Sequence, residues 1–367
     1  MRICLVSDFF VPNLGGVEMH IYNVGQCLIE RGHKVIVVTT SYAYERIGVR
    51  YLSNGLKVYY TPTVNMYSQT SYPPLMHAHI NILRQIFVRE RIQIVHGHQA
   101  TAVLQLLAIL AAQTMGLKTC FTDHSLFSFD DMASISINKA MKWVMANTDG
   151  FMTVSHANKD NLTLRASLNP AQIYVIPNSV DVNKFSPNPG LRYPLNTINI
   201  VTVCRLTFRK GVDLLVDVIP EILRRHSNVH FIIGGDGPKM NILKEMRDKY
   251  NIGDKVELLG SLPHSEVRNA LCRGHIFLNP SLTEAFCIAI LEAASCGLLC
   301  VSTNVGGIPE VLPPEMIYLA PAKPKPLIEQ LEKAIANVRN IPCTQMHEKV
   351  KELYSWHNVA ERTEKVY

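Results

Sequence analysis

Several common chemistries leave no trace in this chain of 367 residues. Its nine cysteines contain no C-x-x-C pair. Cys296 and Cys300 are four apart, and Cys4, Cys120, Cys204, Cys287 and Cys300 lie in apolar runs, as small core thiols do. This spacing excludes a zinc ribbon and a disulfide framework, and reduced thiols in a cytosol-facing protein are expected. No D-x-D segment is present to complete a nucleotide-bound metal site. No G-x-G-x-x-G or G-x-x-x-x-G-K-[ST] occurs either, which disfavours nicotinamide chemistry and ATP hydrolysis. Charge is scarce, at 18% of residues against 47% hydrophobic. It is also evenly spread, with 15 basic against 11 acidic residues in 1–190 and 21 against 19 in the rest. A nucleic-acid binder would show a denser basic stripe. The net charge of +6 suits phosphate ligands or an anionic membrane surface. The longest helical apolar stretch, Val103 to Ala112, is too short to cross a bilayer. No signal peptide precedes the first strand-like run, ICLVS. The last residues, Lys365-Val366-Tyr367, continue a helical pattern without a stop signal, so a continuation of the chain is expected.

What is present is a repeated strand–loop–helix pattern. Buried β-branched runs are expected as strands at Ile3–Ser7, Lys34–Thr40, Val58–Thr61, Ile94–His96, Thr119–Thr122, Gly150–Val154 and Ile173–Ile176. Proline and asparagine then cluster from Pro177 to Pro194, the composition of a linker. After it the pattern restarts at Asn199–Val203, His230–Gly234, Val256–Leu259, Ile276–Asn279 and Leu299–Thr303. Alternation of this kind predicts two α/β domains with parallel sheets, over 1–190 and 191–345. A helical segment, 346–367, is placed to cross back to the first. Ligands are expected at the carboxyl ends of the strands, in the cleft that two such domains form.

Within this frame a few residues can carry chemistry. Glu284 and Glu292 bracket an uncharged, mostly apolar segment in SLTEAFCIAILEAASCG. A helix is expected from about Ala285 to the stop at Gly297, with Glu284 at its positive end and Glu292 two turns in. Carboxylates beside so apolar a run need partners, and two held this way can grip the hydroxyls of a sugar and a ribose. A core helix with one capping and one surface glutamate fits the same pattern. Arg205 and Lys210, in VTVCRLTFRKG, follow a buried strand and can neutralise a diphosphate, or simply form a solvated basic turn with Arg209. Glycine turns at Gly15-Gly16-Val17-Glu18, Gly234–Pro238 and Val305–Glu310 let a backbone approach a phosphate, although any α/β loop can require glycine. His124, in Thr122-Asp123-His124-Ser125, can hydrogen-bond a reacting sugar or be satisfied by Asp123 or Ser125. His96 and His98 mimic a metal pair, but no acidic segment completes one. The segment from Leu75 to Arg91 mixes apolar residues with Arg84, Arg89 and Arg91, as a membrane-surface helix or an ordinary packed helix does.

Taken together, these motifs resemble retaining glycosyltransferases of the GT-B class whose second domain carries E-x7-E, here Glu284 to Glu292. The strings VSDFFVPNLGGVE, FTDHSLF, RKGVDLL, SLTEAFCIAILEAASCGL and VGGIPEVLP narrow the resemblance to the catalytic subunits of phosphatidylinositol N-acetylglucosaminyltransferases, which start glycosylphosphatidylinositol (GPI) anchor synthesis. Ser179 stands where many GT-B members have glycine. The resemblance implies two Rossmann-like domains facing across a cleft, and transfer of N-acetylglucosamine from UDP-GlcNAc to phosphatidylinositol with retention. It implies that Arg205 and Lys210 bind the diphosphate, Glu292 the ribose and Glu284 the donor sugar, with His124 beside the reacting sugar. Gly15, Gly16 and Glu18 would form the substrate loop, and Gly235, Gly306 and Gly307 would line the donor. No cofactor and no metal are implied. The implied partners are UDP-GlcNAc, phosphatidylinositol, other subunits of the transferase complex and the cytoplasmic face of the endoplasmic reticulum membrane, where members are held by a later membrane span. A related transferase with another donor or acceptor, or a non-catalytic sugar-nucleotide-binding subunit, is the alternative.

Overall fold

The apolar runs fold as strands and the segments between them as helices, in a computed structural model that describes residues 1–13, 15–62, 65–67, 70–71, 77–129, 132–192, 194, 196–340 and 342–367. The chain divides into two units, Met1–Asn178 with Trp356–Tyr367, and Ser179–Ser355. The division precedes the linker-like composition around residue 190. Val180 and Phe185 are already buried, and Ser295 Oγ donates to the Phe185 carbonyl at 2.6 Å.

In the first unit the strands are β1 (Arg2–Val6), β2 (Lys34–Thr40), β3 (Gly48–Tyr51), β4 (Lys57–Thr61), a separate ribbon of β5 (Asn65–Tyr67) and β6 (Thr70–Ser71), then β7 (Ile94–His98), β8 (Lys118–Asp123), β9 (Gly150–Thr153) and β10 (Ile173–Val175). The eight-stranded sheet has the order β10-β9-β8-β7-β1-β2-β4-β3, parallel except for β3. Helices α1 (Gly16–Glu30), α2 (His77–Glu90), α3 (Val103–Thr114), α4 (Met132–Met145) and α5 (His156–Ala166) connect these strands. Strand order reverses between β1 and β7, so the loops after these two strands diverge and leave a crevice at the carboxyl edge. Leu75 and Met76 lie outside the described residues. Of the basic amphipathic segment that follows them, Leu83, Ile86 and Phe87 are buried against Val6, Val38 and Val95. The apolar stripe of α2 therefore faces the sheet, and its exposed side carries Arg84, Val88 and Arg89.

In the second unit β11 (Ile198–Val203), β12 (Val229–Gly234), β13 (Val256–Gly260), β14 (Ile276–Asn279), β15 (Leu299–Thr303) and β16 (Ile317–Ala320) form a parallel sheet in the order β13-β12-β11-β14-β15-β16. Helices α6 (Val212–Arg225), α7 (Met240–Lys249), α8 (His264–Cys272), α9 (Ile288–Ser295), α10 (Pro324–Asn337) and α11 (Cys343–Leu353) complete it. The reversal here falls between β11 and β14, which places the loops carrying Arg205, Lys210 and Glu284 at the switch point. Helix α12 (Trp356–Val366) returns to the first unit, where Trp356, Val359 and Ala360 are buried with Ile21, Val24 and Leu28 of α1.

All strands expected from the sequence are present. β3, β5, β6 and β16 are additional, being short elements whose residues alternate or sit at an edge without a long apolar run. No helix among the described residues is long and apolar enough to cross a membrane. All nine cysteines are free thiols.

Candidate active site

At the carboxyl edge of the second sheet, backbone contacts lock three loops together. Gly211 has φ +69° and sits so close to Pro280 that a Cβ would lie 1.8 Å from its carbonyl oxygen. Gly235 makes the same approach to the Cys204 carbonyl, also at 1.8 Å. Leu206 N–H donates to the Asp236 carbonyl at 2.9 Å, and Leu282 N–H to the Arg209 carbonyl at 2.9 Å. The two basic residues of the β11 loop are thus fixed against the turns after β12 and β14. Arg205 is exposed, whereas Lys210 is part-buried at the end of a 3₁₀ turn, Phe208–Lys210.

Lys210 Nζ lies 2.5 Å from Glu284 Oε1. Burial lowers the Lys210 pKa, but the Glu284 carboxylate outweighs it, so the ammonium is held above its ordinary value. Glu284 Oε1 also accepts from the buried Ser281 hydroxyl at 2.9 Å. Ser281 Oγ lies 2.8 Å from Asn279 Oδ1, and Asn279 Nδ2 donates to Ser302 Oγ at 2.9 Å. A polar chain inside the ends of β14 and β15 thereby orients the carboxylate.

Helix α9 does not start at Ala285 as the sequence suggests. Cys287 adopts φ +73°, and the helix begins at Ile288. Glu284 is therefore in the loop before the helix and Glu292 is about one turn in, not two. The loop conformation is set by Gly307, whose N–H donates to the Glu284 carbonyl at 3.0 Å. That amide is committed to shaping the Glu284 loop. Gly306, with φ +53°, makes the turn that brings it there.

Glu292 is separate from the Lys210–Glu284 pair. Its Oε1 lies 3.8 Å from His264 Nε2, and the other ring nitrogen, His264 Nδ1, is 2.6 Å from Lys184 Nζ. Its side chain is only 17% exposed.

In the first unit, four histidines gather at the ends of β7 and β8 and on α1. Ring centroids are 4.6 Å apart for His20 and His124, 5.4 Å for His20 and His98, and 4.1 Å for His96 and His98. His98 Nδ1 and His124 Nε2 are 3.3 Å apart, and His20 Nδ1 is 2.7 Å from Asn178 Oδ1. His96 is satisfied at both nitrogens, by Tyr367 Oη at 2.6 Å and Thr122 Oγ1 at 2.7 Å. Burial pushes the His20 pKa down to about 4 and the His96 pKa to about 3, and His98 and His124 well below their ordinary value. Neighbouring imidazoles add to the shift for His96, His98 and His124, so all four rings are neutral near pH 7.

The backbone at His124 is held from beneath. Asp123 Oδ1 accepts from His124 N–H at 3.0 Å and from Ser125 N–H at 3.4 Å, while Oδ2 pairs with Arg165 Nη1 at 2.9 Å. Both members of this ion pair are fully buried. Burial raises the Asp123 pKa against the pull of Arg165. Gly15 caps α1, and the Glu18 carboxylate folds back over it, where a Cβ on Gly15 would lie 2.6 Å from Glu18 Oε2. Gly16 opens α1.

The structure thus brings Lys210 together with Glu284, and Arg205, Gly235 and Gly307 onto the same loop cluster. Glu292 stands apart with His264, and His124, Gly15, Gly16 and Glu18 belong to the other unit. Sequence reading missed Ser281, His264, Lys184, His20 as a neighbour of His124, and the Asp123–Arg165 pair. Only His264 had a local signal, a histidine that opens a helix shortly after the end of a strand.

A family model described as "PIGA (GPI anchor biosynthesis)" matches residues 41–131, and one described as "Glycosyl transferases group 1" matches residues 197–337. Among solved structures, a sucrose-phosphate synthase from Thermosynechococcus elongatus superposes with a TM-score of 0.80 at 18% identity, covering 100% of this chain and 98% of that one. Anabaena HepE in complex with UDP superposes with a TM-score of 0.79 at 14% identity, covering 100% of this chain and 99% of that one. These likenesses establish the GT-B fold. A phosphatidylinositol N-acetylglucosaminyltransferase subunit from Homo sapiens is 54% identical, over 100% of this chain and 75% of that protein. Its counterpart of the same name from Arabidopsis thaliana is 52% identical over 100% and 81%, and the gpi3 subunit from Schizosaccharomyces pombe is 49% identical over 99% and 79%. With identity at this level along its full length, the chain belongs to the PIGA/gpi3 family of phosphatidylinositol N-acetylglucosaminyltransferase subunits.

Proposed function

We propose that the chain transfers N-acetylglucosamine from UDP-GlcNAc to phosphatidylinositol, with retention of the anomeric configuration, as the first step of GPI-anchor synthesis. The observation that carries the reading is the Lys210–Glu284 pair at the switch point of the second sheet, 2.5 Å apart and braced by Ser281. Breaking the sugar–phosphate bond leaves negative charge on UDP and positive character on the sugar. Fixed cations beside the first, and a carboxylate beside the second, stabilise the transition state more than the ground state. Lys210 and Arg205 take the diphosphate, with no metal needed there. Glu284 meets the donor sugar and Glu292 the ribose hydroxyls. In the first unit, His124 offers a neutral imidazole to the reacting sugar, and Gly15, Gly16 and Glu18 form the substrate loop. Gly235 and Gly306 keep the donor-side loops close, and Gly307 supports Glu284.

The chain works within a multi-subunit complex at the cytoplasmic face of the endoplasmic reticulum membrane. Mild basicity and the exposed arginines of α2 suit an anionic lipid surface. The test supplies UDP-GlcNAc labelled in the sugar, phosphatidylinositol vesicles and the partner subunits. Labelled glycolipid is expected with this donor and not with UDP-glucose. Equal labelling from both donors, or none in a complex that assembles, overturns the reading.

A further inference from the structure

We infer that His20, His98 and His124 of the first unit form a binding site for one divalent transition-metal ion of the zinc type. One ligand atom from each ring lies within 4.8 Å of the other two. The 3.3 Å between His98 Nδ1 and His124 Nε2 is the edge of a tetrahedron about an ion with Zn–N bonds of about 2.0–2.1 Å. His20 has to close by no more than about 1.5 Å to complete that face, which a side-chain rotation supplies.

The neighbours decide which histidines take part. His96 is nearest to His98 in sequence and in space, yet Tyr367 and Thr122 occupy both of its nitrogens. It is excluded as a ligand and packs behind the site. His20 is prepared as one. With Nδ1 donating to the Asn178 amide oxygen at 2.7 Å, the lone pair is fixed on Nε2. This is the outer-shell arrangement that orients metal-bound imidazoles. His98 presents Nδ1, the nitrogen 3.3 Å from His124 Nε2, while its buried Nε2 has no hydrogen-bond partner among the described residues and takes no part in the site. The three rings project from α1, the end of β7 and the turn after β8, elements that share one core and hold them in place.

The donor set selects the ion. Three nitrogens without a carboxylate or thiolate favour zinc, cobalt, nickel or copper over magnesium and calcium. His124 is the one partly exposed member, and three protein nitrogens leave the fourth position of a tetrahedral ion to water, as at three-histidine zinc sites. The inference rests on the three rings alone and not on the proposed reaction. If His124 faces the donor sugar, an ion on Nε2 withdraws its lone pair and the loaded form is inhibited.

The probe is Co²⁺, added to the untagged chain and followed by its visible d–d absorption. The expected result is tetrahedral absorption saturating at one ion per chain and displaced by Zn²⁺. No thiolate charge-transfer band should accompany it, since such a band would report Cys27 beside Glu30 and His357 instead. His98→Gln and His20→Gln should each abolish it, and His96→Gln should leave it. Asn178→Ala should weaken it by roughly 10–100-fold, as loss of an outer-shell partner does. Circular dichroism checks that each variant is folded. Absent absorption in the folded wild type, or absorption that survives both His20→Gln and His98→Gln, overturns the inference.

Discussion

Lys210 Nζ and Glu284 Oε1 lie 2.5 Å apart although 74 positions separate them in sequence. The pair joins the loop after β11 to the loop after β14, on either side of the point where strand order reverses. The Glu284 carboxylate favours the charged form of Lys210 in a partly buried position. The Lys210 side chain is 34% exposed, so solvent screens the pair and its contribution to stability is small. Its value lies in orientation. Lys210→Ala and Arg205→Ala should therefore each lower kcat by about 10²–10³, the usual cost of one preorganised donor, with little change in melting temperature. Wild-type turnover in either folded variant would remove that residue from the diphosphate site.

Gly211→Ala should lower stability as well as activity. The new Cβ would meet the Pro280 carbonyl oxygen at 1.8 Å, and φ +69° is unfavourable for alanine. Backbone strain of this kind costs about 1–3 kcal/mol, and the clash also pushes the Lys210 loop away from the Glu284 loop. Urea titration should show a lower midpoint with an unchanged slope, and activity should fall as well. A midpoint equal to the wild type would mean that the loops are not locked as described.

The placement of Lys210, Arg205 and Glu284 on loops at one edge of the second sheet was legible because their signals are local. Lys210 and Arg205 follow a buried strand, and the two glutamates bracket an uncharged segment of fixed length. The alternation of apolar runs similarly revealed the strands that build both sheets. The start of α9 was not legible, since Leu and Ala favour helix while the left-handed turn at Cys287 is imposed by the loop that Gly307 anchors. The contacts around His124 were hidden for a different reason. Arg165 lies 42 positions from Asp123, and Asn178 lies 158 from His20. Only the folded sheet sets such neighbours side by side.

Arg165→Met removes the partner of a fully buried carboxylate. Breaking a buried pair on one side typically costs about 3–5 kcal/mol. Asp123→Asn in the same chain should recover part of that loss, because the amide oxygen can still accept from His124 N–H and Ser125 N–H without a charge. In chains that remain folded, Arg165→Met should reduce kcat more than donor affinity, because it disturbs the turn that carries His124 and leaves the second unit intact. Thermal unfolding of the two single variants and the double variant forms the cycle that measures the coupling. Additive losses would show that Arg165 and Asp123 do not act as a pair.

The buried histidines set the pH dependence of stability in the acid range. His20 has a pKa near 4 in the folded chain against 6.5 as its ordinary value, and His96 has one near 3. His98 and His124 are shifted in the same direction. Between these values the unfolded chain binds more protons than the folded one, so stability rises with pH. The contribution is therefore complete above about pH 6.5 and is lost as pH falls towards 4 and below, with His20 alone worth about 3 kcal/mol on this scale. Urea midpoints measured with a chelator present, from pH 7.5 down to 4.5, should fall with a slope of more than one proton. His20→Gln should reduce that slope by about one proton, and its amide can keep the Asn178 hydrogen bond, so the variant remains folded at pH 7.5. A flat profile over this range would mean that the rings are solvated and titrate as they do in the unfolded chain.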